Sequence, residues 1–197
     1  MKRIVNESIF SVEDLRIEQE IGPGPVIMSA TNIVDAYRLN ENILSLLNEQ
    51  IKNELNASQI YRSMSCWLND QKWPSGSKLF FTYANEELNH MNKIYNYIFS
   101  KNCQAIVPCS CDVETEFPNI KNLIETALQH EIEVSEEWEN ICNCALKYGD
   151  NTTVEFSQWF LKEQIEEEEK FREMLEIINL DMPNYEIEKM FKELIKN

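Results

Sequence analysis

From Asn40 onward the chain repeats apolar residues at three- and four-residue spacing through four long segments. That spacing places them on one face of an α-helix. The first segment runs from about residue 41 to 69 behind Asn40, a side chain suited to capping a helix start. The second runs from about 76 to 100, after the loop DQKWPSG. The third begins near Asn119, after Pro118, and ends at Gly149, a residue free to adopt the left-handed conformation that stops a helix. The fourth spans about 151 to 179, and a short amphipathic stretch, YEIEKMFKELI, follows Pro183. The first and third connections are short, so those pairs of helices are antiparallel neighbours. The second, KNCQAIVPCSCDVETEF, is long enough when extended to run the length of a bundle. The expected fold is all-α: a four-helix bundle with one long crossover between helices two and three, plus a short fifth helix.

Each apolar face is interrupted near its middle. The first reads Leu44, Leu47, Ile51, Glu54, Ser58, Tyr61, Ser65, Leu68, and the second Phe80, Tyr83, Glu87, His90, Ile94, Tyr97. The third reads Ile120, Ile124, Ala127, Glu131, Val134, Trp138, Ile141, Ala145, and the fourth Phe156, Phe160, Gln164, Glu167, Phe171, Met174, Ile178. Glu54, Glu87, Glu131 and Gln164 lie about 12–14 residues into their helices, a rise of about 20 Å, close to the midpoint of each. Midpoints coincide whether neighbours run up or down, so these groups should meet in one layer. Unpaired acids packed together raise one another's pKa steeply. A pair of divalent cations relieves that conflict, with His90 adding a nitrogen donor one turn from Glu87. The plainer alternative for any one of these residues is a hydrogen-bonded polar group in a core.

Composition adds exclusions. The net charge of −16 leaves no cationic surface to displace counterions from nucleic acid, and it favours cations. No apolar run approaches the ~18 residues of a membrane span, and acids break the opening stretch, so no signal peptide is expected. Six cysteines outside a secretory context suggest reduced thiols in the cytoplasm. Cys109 and Cys111 would point to one side of an extended strand, whereas Cys142 and Cys144 diverge on a helix. IGPGPVI marks a linker, so residues 1–39 are expected to form an arm outside the bundle of residues 40–197, placed to dock an unidentified partner or a neighbouring subunit.

The stretches LLNEQIKNELNASQIY, YANEELNHMNKIYNYI, ALQHEIEV and FSQWFLKEQIEEEEKFREML resemble the bacterial non-haem ferritins, over about residues 40–180. The fourth stretch carries Gln164-x-x-Glu167 where bacterioferritins and rubrerythrin-like proteins usually place a second Glu-x-x-His. The resemblance implies a ferroxidase that oxidises Fe(II) with O2 at a dinuclear iron site, without haem. Glu54, Glu87 and His90 would hold the first iron, and Glu87 and Glu131 the second, with Glu167 close to it and Gln164 lining the site. Tyr61 matches the family's site tyrosine, with a packed core aromatic as its alternative. Glu86, Glu163 and Glu166 match a third iron position, or are ordinary solvated acids. The resemblance further implies a cage of 24 subunits around a ferric mineral, serving storage or detoxification, with Asp150 and Glu155 near a pore. Other readings are a rubrerythrin-like diiron oxidase or peroxidase, a shell subunit without catalysis, and a helical interaction protein working through its arm.

Overall fold

The computed structural model describes residues 38–109 and 112–195; the expected arm, apart from Arg38 and Leu39, lies outside them. Five helices make up its regular structure: α1 Glu41–Asp70, α2 Pro74–Ser100, α3 Ile120–Tyr148, α4 Asn151–Asn179 and α5 Asn184–Leu194, with no strand among the described residues. Their boundaries follow local chemistry. The Asn40, Asn119 and Asp150 side chains accept bonds from the backbone N–H groups of Asn42, Asn122 and Thr153, at 2.9, 3.0 and 3.0 Å. Each satisfies a donor that the first helical turn leaves open. Helix α2 starts two residues earlier than the sequence suggests, because Pro74 occupies its first position, where a fixed φ and a missing N–H are no handicap. Helix α3 ends on Gly149 at φ 69°, as expected.

The core falls into two apolar clusters, and the order in which each helix visits them gives the topology. Helix α1 runs from the cluster holding Ile43, Leu47 and Ile51 to the one holding Tyr61, Met64 and Leu68. Helix α2 runs back, from Phe80 and Ala84 to Ile94 and Ile98. Helix α3 runs the same way as α2, from Ile124 and Ala127 to Val134 and Trp138, and α4 returns from Phe160 to Phe171 and Met174. Helices α2 and α3 are therefore parallel, joined by the crossover. That connection is tied down where Ile106 N–H donates to Asn48 Oδ1 at 2.7 Å and where Phe117 is buried. Helix α5 lies across α2, where Gly76 admits it: a Cβ at that position would stand 2.9 Å from the ring of fully buried Phe191.

The expected faces are displaced slightly. Ile43 is fully buried and Leu44 only partly, Ile98 lies deeper than Tyr97, and Ile120, Phe156 and Ile178 are half-buried. Leu39, just before the cap, is also buried, drawing the entry of α1 onto the core. Cys109 is exposed, Cys142 and Cys144 are half-buried and none is in a disulfide; Cys111 lies outside the described residues.

Candidate metal centre

Between the two apolar clusters lies a polar layer. Glu54, Glu87, Glu131 and Gln164 are buried there, 1, 7, 3 and 4% exposed, one from each long helix. The side chains fall into two groups. In the first, Glu54, Glu87 and His90 each offer a ligand atom, and these atoms lie within 4.8 Å of one another. His90 Nδ1 is 3.2 Å from Glu87 Oε2 and 3.9 Å from Glu54 Oε2. The imidazole is half-buried, with the edges of Trp159 and Phe160 at 5.9 and 5.6 Å between ring centroids. These rings limit the directions in which it can turn.

In the second group, hydrogen-bond donors of the protein itself hold the acids. The Tyr61 hydroxyl donates to Glu131 Oε1, and Gln164 Nε2 donates to Glu131 Oε2 at 2.8 Å. Tyr61 is thus bonded to Glu131 and is also packed among Phe80, Tyr83 and Phe171. Glu167 is partly buried and accepts a bond from Lys170 Nζ at 2.7 Å. Glu86 is half-buried, Glu163 likewise, and Glu166 is exposed; none of them joins the close trio.

Two participants had no place in the sequence reading. Gln50 is 1% exposed and donates to Glu54 Oε1 at 3.0 Å, one turn before it on α1. Lys170 lies one turn beyond Glu167. Both were detectable only as polar residues three or four positions from a layer residue, a spacing also common on solvated helix faces.

The electrostatics follow from burial. Desolvation holds the Glu54 carboxyl well above its usual 4.5, and the charge of Glu87 pushes the same way, against His90 and Gln50. Glu87 is raised by burial and by Glu131. Glu131 is raised by burial, against the bonds from Tyr61 and Gln164. Burial and the adjacent Glu131 lift the Tyr61 phenol well above 10. Without bound cations the layer keeps protons that it would lose in water. A raised folded-state pKa gives stability that is whole below the unfolded value and lost as pH rises through the folded one. Glu54→Gln stays neutral throughout, so the variant should gain stability over the parent as pH rises above about 4.5. Urea unfolding of the metal-free proteins measures this, and a difference independent of pH would mean that folding leaves the pKa of Glu54 where it is in the unfolded chain.

A four-helix bundle whose mid-height layer gathers acids and an imidazole has the architecture of the ferritin-like class. The comparisons agree. The Ferritin-like domain family matches residues 44–180. A bacterial non-heme ferritin of Staphylococcus saprophyticus is 33% identical over 141 residues, covering 72% of this chain and 84% of its own. A probable bacterial non-heme ferritin-like protein of Haemophilus influenzae is 30% identical, also over 141 residues, covering 72% and 86%. In fold, the chain is similar to an open pore ferritin from Archaeoglobus fulgidus, with a TM-score of 0.77 and 23% identity over 80% of this chain and 97% of that one. The chain belongs to the ferritin family. No described helix is long and apolar enough to cross a membrane.

Proposed function

We propose that the protein is an iron storage and detoxification protein that oxidises Fe(II) with O2 inside each subunit. The observation that carries this reading is the Glu54–Glu87–His90 trio, three donors of a type suited to Fe(II), within 4.8 Å of one another in a buried polar layer between two apolar clusters. One Fe(II) binds there. A second binds between Glu87 and Glu131, with Glu167 and Gln164 alongside, and Glu87 is shared between the two. Arrival of the cations displaces protons that burial keeps on the acids, so uptake releases acid and weakens as pH falls. Tyr61 and Gln164 fix the Glu131 carboxylate, which spares it a reorganisation when iron binds. Each ferrous ion then gives up one electron. Dioxygen takes both and, with two protons, leaves as hydrogen peroxide.

The net charge of −16 suits a protein that attracts cations. The ferric product passes into the hollow of a homo-oligomeric shell, on the 24-subunit plan expected from the resemblance, in the cytoplasm. Asp150 is half-buried and spends its carboxylate on capping α4 through Thr152 and Thr153, whereas Glu155 is exposed at the same turn, so Glu155 is the freer of the two to meet iron at a pore. The reading is tested by adding Fe(II) anaerobically, admitting air and following oxygen with an electrode. About two irons should be oxidised per oxygen consumed, with peroxide recovered. Oxidation no faster than in protein-free buffer would remove the assignment.

A further inference from the structure

The acids on the α4 side of the centre already have a cation of their own. Lys170 follows Glu167 by three residues, which brings both onto one face of α4. Its Nζ lies 2.7 Å from Glu167 Oε1. It also lies 5.8 Å from the centre of the Tyr83 ring, on α2. The side chain is about one-third exposed, so it leans inward where a lysine on a solvated face would extend into water. The carboxylates that feel this ammonium most strongly are Glu167, Glu86 and Glu166. Glu86 in turn feels Glu167 and Glu163. Acids from two helices thus lie within reach of one another's charge, and a covalently attached positive charge bonded to Glu167 sits among them.

We infer that Lys170 is a tethered cation that holds Glu167 and fills the corner formed by Glu86, Glu163, Glu166 and Glu167, so that each subunit takes two metal ions and no third. From sequence, Glu86, Glu163 and Glu166 invite the reading of a third ion. A metal ion entering that corner must displace the ammonium from Glu167 and then remain beside a like charge that cannot diffuse away. A tethered group is also present at an effective concentration that no free ion in the cell matches. Lys170 is a positioning residue here: it keeps Glu167 turned toward the corner and leaves Glu54, Glu87, His90 and Glu131 to bind metal.

This inference rests on the dimetal reading above, and the experiment separates the two. Fe(II) binding is measured by anaerobic equilibrium dialysis on the parent, Lys170→Met, Lys170→Arg and Glu87→Ala. The parent should bind about two ions per subunit. Lys170→Met, which keeps the length of the side chain and removes its charge, should gain a further, weaker ion. Lys170→Arg should stay with the parent, which a merely structural effect of the substitution would not produce. Adding Glu166→Gln to Lys170→Met should remove the extra ion again. A third ion in the parent, or no gain in Lys170→Met, would overturn the role of Lys170 and leave the dimetal reading standing. A parent that binds no ion sensitive to Glu87→Ala would overturn that reading, and this one with it.

Discussion

Glu87→Ala is expected to slow Fe(II) oxidation by at least about 100-fold. Loss of a residue that merely supports a metal ligand costs about 10- to 100-fold, and Glu87 stands closer to the chemistry than that. It lies 3.2 Å from His90, belongs to the trio with Glu54, and its carboxyl feels the charge of Glu131 across the layer. Removing it separates the two halves of the centre and leaves each with too few donors. Glu133→Ala is the matched control, since it deletes an acid of equal charge from an exposed position on α3. Stopped-flow absorbance of the ferric product compares them. Equal slowing in both variants would mean that general acidity, and not this site, attracts and oxidises the iron.

The second large effect is on stability. Trp138 is fully buried and stacks on Phe160, with ring centroids 3.8 Å apart and planes 10° from parallel. Phe160 in turn meets the edge of His90, so the pair forms the apolar wall on one side of the polar layer. Truncating such a side chain costs about 3–5 kcal/mol, a large part of the roughly 5–15 kcal/mol that holds a domain together. Trp138→Ala should therefore lower the urea midpoint steeply. Trp138→Phe should cost much less than its lost volume suggests. The indole Nε1 is buried without a hydrogen-bond partner, and the substitution removes that orphaned donor along with the outer ring. If the two variants unfolded together, the stack would not be what anchors α3 to α4.

The periodicity of the chain carried most of the architecture. The breaks in each apolar face at Glu54, Glu87, Glu131 and Gln164 mark the layer in the sequence itself, because the midpoints of helices of similar length coincide in a bundle. The start of α2 shifted because proline reads as a loop residue in a sequence and as a first helical residue in a structure. The rotation of α1 that buries Ile43 in preference to Leu44 depends on neighbours that a single helix does not specify. Gln50 and Lys170 were hidden for a related reason. A polar side chain one turn from a buried acid is equally able to reach back to it or out to water, and only packing decides. The internal bonds of Glu131 were hidden too, since spacing brings residues to one height and says nothing of which donors meet which acids.

Iron is expected to bind between Glu54, Glu87, His90 and Glu131, at mid-height in the bundle. Anomalous diffraction at the iron edge, from crystals loaded with Fe(II) without oxygen, tests it most directly. Two peaks are expected, one against Glu54, Glu87 and His90 and one between Glu87 and Glu131. Peaks confined to surface acids, with that layer empty, would contradict it.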